Sequence, residues 1–142
     1  MEIINRKAKY NYIIIDEYEC GIELKGTEIK SIRKGSANFN DSYGRIKNGE
    51  VFLINMFIAK YEEGSIFNHE ETRERKLLLH KSEIKKLEKE ITLNKYTLVP
   101  LKLYFKKGKA KILLGLAKGK KLYDKRQTIK ERDLKRNIYK EE

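Results

Sequence analysis

The sequence predicts a mainly β protein: a small antiparallel barrel, closed or nearly so, with two or three short flanking helices and a basic tail. Three observations lead there. About six short apolar segments recur with turn signals between them, a spacing that favours a barrel over a helical fold. Two tight turns, Asn48-Gly49 and Lys107-Gly108, can fold neighbouring strands back on one another. From Gly119 onward apolar content collapses: residues 119–142 hold nine Lys/Arg, five Asp/Glu and only six apolar or aromatic side chains. So little apolar area cannot offset a backbone ordering cost of roughly 1–2 kcal/mol per residue. The 142 residues thus divide into one compact domain, 1–118, and a tail, 119–142, that is disordered when free.

The elements follow in order. Residues 10–18, rich in Tyr and Ile, predict the first strand, which continues through a bend into 21–24. Thr27 reads as the N-cap of a two-turn helix over 28–34, with Glu28 in its first turn, Ile29 and Ile32 buried, and Gly35 past its end. Asn48-Gly49 suits a type I′ turn joining 42–47 to 50–58; the second strand is apolar on both faces and so central. Residues 62–75 are densely charged without a period and read as a mobile loop. Ser82 reads as the cap of a helix to about residue 91, with Ile84, Leu87 and Ile91 on one face. A long hairpin then pairs 96–106 with 109–118. Its inner face carries Val99, Leu101, Leu103 and Phe105 against Ala110, Ile112, Leu114 and Leu116, and Pro100 implies an edge or a bulge.

Charge narrows the function. A formal net charge of +12 and a pI near 9.6 call for a polyanionic partner. A membrane surface would want a basic helix with a continuous apolar face, and a span would want ~18–20 apolar residues; neither pattern is present. The first ten residues lack a signal-peptide core, and the lone Cys20 fits a reducing cytoplasm. No metal-ligand spacing, nucleophile elbow or phosphate loop is visible, so neither an enzyme nor a cofactor is implied. A nuclease centre built from Glu28, Asp41 and Glu50 would have to assemble in three dimensions.

RNA binding has more support. A hairpin turning at Lys107-Gly108 sets Tyr104 directly opposite Lys111, with Lys102 on the same face. An aromatic ring between cations can stack a base while the amines hold phosphates; equally, Tyr104 can be a lid on the core. Lys30, Arg33 and Lys34 form a ridge on the first helix, which a merely solvated face would also show. Arg6, Lys7 and Lys9 add charge near the start, and Arg73, Arg75 and Lys76 form a further cluster leading into Leu77-Leu-Leu79, a run more typical of core. In the tail, Thr128-Ile-Lys-Glu131 is a capping box, and Glu131 with Lys135 and Leu134 with Ile138 are i,i+4 pairs. A helix over about 129–139 is encoded, marginal alone, and expected to fold against RNA.

Several segments together carry a likeness: Gly26-Thr-Glu-Ile-Lys-Ser-Ile-Arg-Lys-Gly35, Ala37-Asn38, Asp41-Ser-Tyr43 and Arg75-Lys-Leu-Leu-Leu-His80, then Leu98-Val-Pro-Leu-Lys-Leu-Tyr104, Gly115-Leu-Ala-Lys-Gly-Lys-Lys121 and Asp124-Lys-Arg126. In order and over essentially the whole chain, they closely resemble the SmpB family, the SsrA-binding proteins of bacteria. The resemblance implies an oligonucleotide-binding-type (OB) barrel and a part in trans-translation, the rescue of stalled ribosomes. Its partners would be the tRNA-like domain of transfer-messenger RNA and the decoding centre of the small ribosomal subunit, and it would act with elongation factor Tu and the alanylated RNA. The protein would be a monomer in the RNA complex.

Carried over by position, Glu28 matches an RNA-contacting glutamate, and Leu78 and Lys111 match two further RNA-binding positions. Lys30, Arg33, Asn38, Lys76, Tyr104 and Lys118 complete the expected RNA-binding set, and the opposite barrel face is left for the small subunit. Gly119, Asp124, Lys125 and Arg126 match the tail base that acts in the decoding centre, where Tyr123 would stack on a ribosomal base, and Lys120 and Lys121 join the expected tail set. Lys130, Arg132, Lys135 and Arg136 would line the tail helix in the vacant mRNA channel. Three departures stand out: Tyr10-Asn11 in place of His-Asp, Glu70-Glu71 without the proline often seen after the Asn68-His69 pair, and a tail that stops soon after Tyr139 and so implies a shorter reach. Composition alone leaves two other readings open, a structural ribosomal protein and a generic single-strand binder.

Overall fold

Residues 1–61 and 68–120 are described by the structure, a computed structural model. The order is β1 (Glu2–Ile4), α1 (Ala8–Asn11), β2 (Tyr12–Ile22), α2 (Gly26–Arg33), β3 (Ala37–Asn38) and β4 (Tyr43–Lys47). Then come β5 (Glu50–Ile54), β6 (Phe57–Ile58), β7 (Arg75–Leu78), α3 (Lys81–Asn94), β8 (Thr97–Lys106) and β9 (Lys109–Gly119). The main pairings are antiparallel and run β8-β4-β5-β7-β2-β9 before returning to β8, which closes the expected barrel. β1 extends it along β8, and β3 pairs with β6 in a separate ladder.

Turn chemistry sets both long hairpins. Asn48 (φ 53) with Gly49 (φ 74), and Lys107 (φ 52) with Gly108 (φ 77), are left-handed, the type I′ pattern that matches strand twist. The barrel's shortest ladder is β4 against β8, where the one register pair is Gly44 with Leu98. A Cβ on Gly44 would lie 2.7 Å from the Leu98 Cβ, so the close approach requires glycine.

Pro100 makes a bulge. The register slips between Pro100 and Lys102, which oppose Leu114 and Leu113. The extra residue swaps the inward side of β8. Leu103, Phe105, Ala110, Ile112, Leu114 and Leu116 join the main core as the alternation predicts, with Ile32, Leu53, Leu77 and Leu87. Before the bulge the alternation fails: Leu98 enters that core, while Val99 packs with Ala8 and Ala117 in a second cluster that Leu101 and Tyr12 cover.

Other boundaries move for stated reasons. Tyr10 and Asn11 belong to α1, not to a strand, and β1 precedes them because it borrows its partner from β8. The N-cap of α2 is Lys25, not Thr27; the Glu28 carboxylate accepts the Lys25 N–H at 2.8 Å and does the capping from inside the helix. In α3 the N-cap is His80, not Ser82, and Glu83 accepts the His80 N–H at 3.1 Å. The strand read over 50–58 breaks at Asn55 (φ 63) into β5 and β6, although β5 is central, between β4 and β7. Of the loop read over 62–75, residues 62–67 lie outside the described residues, and Arg75 already opens β7. Asn68 Nδ2 donates to the Tyr61 carbonyl at 2.8 Å, and buried His69 bonds Thr27 Oγ1 and the Ile58 carbonyl, each at 2.9 Å. β9 runs one residue past the expected domain limit, and the Lys120 N–H donates to the Asn11 carbonyl at 2.9 Å. The tail readings from Lys121 to the 129–139 helix lie outside the described residues.

Candidate nucleic-acid interface

Alternation along β7 turns Arg75 and Leu77 into the core and leaves Leu78 at the surface, 46% exposed. From Leu78 a register row crosses the barrel wall: Leu78 on β7, Gly21 on β2, Lys111 on β9, Tyr104 on β8 and Glu2 on β1. Directly opposed residues share a face, so Leu78, Lys111 and Tyr104 project together. Gly21 is the bare centre of the row. A Cβ there would sit 3.2 Å from both Cβ and Cδ1 of Leu78, so the glycine lets the leucine lie across β2. Beside the row opens a groove of about 550 Å³, lined in part by Lys76, Leu78, His80, Lys111 and, on the acidic side, Glu19 and Glu50.

Tyr104 is neither a free stacking platform nor a core lid. Its hydroxyl donates to Glu19 Oε2, Lys106 Nζ donates to Glu19 Oε1 at 3.3 Å, and Lys102 Nζ stands 5.3 Å from the ring centroid. One ring face is therefore already occupied by a cation. Partial burial and the Glu19 carboxylate push the phenol up to about 12. The hydrogen bond from Tyr104 pulls the Glu19 carboxyl below its ordinary value, burial opposing and Lys106 assisting.

Glu28 is enclosed by the protein itself. Its side chain is fully buried, with Arg73 Nη2 at 2.5 Å from Oε1 and Arg75 Nε at 2.5 Å from Oε2. Burial alone would raise its pKa, but hydrogen bonds from Arg73, the Lys25 backbone and Arg75 outweigh it, and the net shift is downward. Arg75 also donates to the Met56 carbonyl at 2.5 Å, and Arg73 to the Glu23 carbonyl at 3.3 Å. The expected contact residue is thus a buried clasp tying α2, β2, β7 and the turn after β5. The reading of Arg73, Arg75 and Lys76 as one basic cluster dissolves, because only Lys76 faces the groove.

The remaining expected residues lie elsewhere. Lys30 and Lys34 stand 5.4 and 4.7 Å from the Tyr61 ring centroid, and Arg33 stands 4.5 Å from that of Phe105, so rings organise the α2 ridge. Asn38 sits in β3, and its Oδ1 accepts the Asn40 N–H at 3.1 Å, which makes it a turn-builder. Lys118 is exposed on β9 opposite Ile13. Buried Cys20 has its thiol pushed up to about 12, mainly by burial. Among the described residues no group of three or more His, Cys, Asp or Glu could hold a metal ion, and no helix is long and apolar enough to cross a membrane. Sequence reasoning missed Glu2 and Glu19 on the lysine-bearing face and grouped Glu50 with Glu28 and Asp41 rather than with Lys76. The period-2 relation of Glu19 to Gly21 was the available signal, but it needed the β2–β9 register.

Fold and site together define a class: a mainly β, strongly basic barrel protein that displays a leucine, a tyrosine and lysines in one row on its wall. A family model described as "SmpB protein" matches residues 2–142. The SsrA-binding protein of Staphylococcus aureus (strain JH1) is 60% identical over 134 residues, 94% of this chain and 87% of that protein. That of Staphylococcus haemolyticus (strain JCSC1435) is 58% identical over 134 residues, 94% and 86%. A chain in the solved structure described as "tmRNA-SmpB: a journey to the center of the bacterial ribosome" is 50% identical, with a TM-score of 0.71 over 85% of each chain. The chain belongs to the SmpB family.

Proposed function

We propose that this protein is a non-catalytic adaptor in the cytoplasm that binds the tRNA-like domain of SsrA RNA (transfer-messenger RNA) and delivers it to stalled ribosomes for trans-translation. The observation that carries the RNA-binding step is the row of Leu78, Gly21, Lys111 and Tyr104 beside the groove. An exposed leucine can pack against a splayed base, while Lys76 and Lys111 neutralise the flanking phosphates. Glu28 acts by holding the elements beneath this surface. Lys30, Arg33, Asn38 and Lys118 lie off the groove and are assigned to secondary contacts. Residues 1–118 form the RNA-binding body. Gly119, Lys120 and the residues from Lys121 through Arg136 serve the decoding centre and the vacant mRNA channel, with elongation factor Tu carrying the alanylated RNA.

Affinity-tagged full chain, purified with its bound RNA from a bacterial lysate, tests this reading. One dominant RNA with a tRNA-like end, identified by sequencing, is the expected result. Ribosomal RNA in equal molar amount, or a spread of unrelated fragments, would replace it with a structural ribosomal role or with generic single-strand binding.

A further inference from the structure

Ser42 is 9% exposed, and its buried hydroxyl has no hydrogen-bond partner among the described residues. A buried polar group left unsatisfied weakens the fold that carries it, so Ser42 calls for a compensating role. The backbone sets its place. Asp41 is left-handed (φ 58) and the Ser42 N–H donates to the Phe39 carbonyl at 3.0 Å, a tight turn. Between this turn and α1 lies a cavity of about 260 Å³, whose lining includes Ser42, Asn40, Asp41, Lys7, Asn11 and Tyr12. That is well above the ~30 Å³ share of one water. It is also below the ~300–1,000 Å³ of pockets for drug-sized ligands, so it suits a single flat ring. No lining residue is shared with the Leu78 groove. Tyr12 and Gly21 stand nine residues apart on β2, roughly 30 Å of strand.

The lining has the chemistry of a nucleotide site. The amides of Asn11 and Asn40 each set a donor beside an acceptor, as a base edge does, and Tyr12 offers a ring for stacking. Arg6, Lys7 and Lys9 are exposed, and among the described residues none of them pairs with a carboxylate. Lys7 is the N-cap of α1 without a side-chain hydrogen bond there, which leaves its ammonium for a phosphate. Asp41 would repel a phosphate, so the charged end of a ligand belongs on the Lys7 side. We infer that this cavity is a second RNA site, taking one unpaired nucleotide with its base hydrogen-bonded to Ser42 and its phosphate on Lys7. The use of the site in ribosome rescue rests on the adaptor reading; the site itself does not. The nucleotide comes either from the tRNA-like RNA or from the ribosome, and the chemistry is the same for both.

The test compares the wild-type full chain with Ser42→Ala, Asn40→Ala and Lys7→Ala. Binding to isolated small ribosomal subunits and to the tRNA-like domain of SsrA RNA would be measured over a salt series, with urea unfolding of each free protein alongside. Ser42→Ala removes an unpaired buried hydroxyl, so its unfolding midpoint should stay the same or rise. It should nevertheless weaken one of the two complexes about fivefold. Asn40→Ala, at an exposed position, should weaken the same complex several-fold, and Lys7→Ala should lower its salt slope by roughly one. The complex affected identifies the source of the nucleotide. Unchanged binding of Ser42→Ala to both would overturn the inference. So would a lower midpoint for Ser42→Ala, because an ordered water would then satisfy the hydroxyl and its role would be structural. If the wild-type chain fails to prefer the tRNA-like domain to oligo-uridine, the proposed function is what fails, and the small-subunit arm still decides the site.

Discussion

Glu28 keeps its charge in the core because two guanidiniums and one backbone N–H share it. Removing one partner of a buried pair leaves the other uncompensated, and Arg75 is as fully enclosed as Glu28. Glu28→Gln should therefore cost about 3–5 kcal/mol in urea unfolding. Glu28→Leu combined with Arg75→Met should recover most of that loss; a double variant no better than the single one would contradict the clasp. The downward pKa shift gives a pH signature. A carboxyl that is depressed in the folded state contributes its stability fully above its ordinary value of 4.5 and loses it as pH falls through the folded value. Acid unfolding should thus steepen below about pH 4.5 in the wild type, and Glu28→Gln should flatten that limb. Lys111 is the opposite kind of residue, set at the surface in the Leu78 row. Lys111→Ala should leave the unfolding midpoint unchanged and reduce the salt slope for the tRNA-like RNA by roughly one; an unaltered slope would remove it from the phosphate contacts.

At the scale of elements, what could be read from sequence was whatever neighbours decide. Both type I′ hairpins, the Tyr104–Lys111 opposition and the Pro100 bulge follow from two-residue turns and a missing N–H, so local chemistry sufficed. β1 was not legible because three residues at the N-terminus become a strand only by pairing with β8 about a hundred positions away. Glu28 was located correctly in its helix, but its buried ion pairs were not legible, since its partners are 45 and 47 residues distant. The caps were misassigned for a related reason: Thr27 and Ser82 are good cap residues, but Glu28 and Glu83 supply the capping acceptor from the third helical position. β2 and β7 make a sharper case, because a strand pairing here builds the site. Gly21→Ala puts a methyl 3.2 Å from the Leu78 side chain, tighter than ordinary contact. The Leu78 Cδ1 can rotate aside, and its Cβ, at 3.2 Å, needs a far smaller adjustment than a 2.7 Å contact would, so RNA affinity should fall several-fold with less than about 1 kcal/mol lost in stability. Gly44→Ala meets the Leu98 Cβ at 2.7 Å instead, which cannot rotate away; it should cost about 1–3 kcal/mol by opening the β4–β8 seam. If both glycines gave the same stability loss, the Gly21 position would be part of the barrel's packing rather than of its RNA surface.

Over the whole molecule, charge divides between body and tail. Of the net +12, residues 119–142 supply nine Lys/Arg against five Asp/Glu, so the barrel keeps a charge of +8 and can attract a polyanion without them. The stretch after Arg126 is nearly neutral, with five Lys/Arg and four Asp/Glu, and deleting it changes the net charge by one unit. Long-range attraction to RNA depends on that total, and the Leu78 row depends on strands that end at Gly119. Truncation after Arg126 should therefore leave affinity for the tRNA-like domain within about twofold of the full chain, with the salt slope lowered by less than one. The same truncation should abolish tagging of nascent chains on ribosomes stalled without a codon in the decoding site, measured in a reconstituted translation system. Its basis is charge balance: Lys130, Glu131, Arg132 and Asp133 alternate in sign and the removed stretch is nearly neutral, which suits a segment expected to enter a groove of ribosomal RNA without being trapped there. A large drop in affinity for the free RNA would place the tail in the first binding step and undo the division. Tagging at the full rate would leave the residues after Arg126 without a part in rescue.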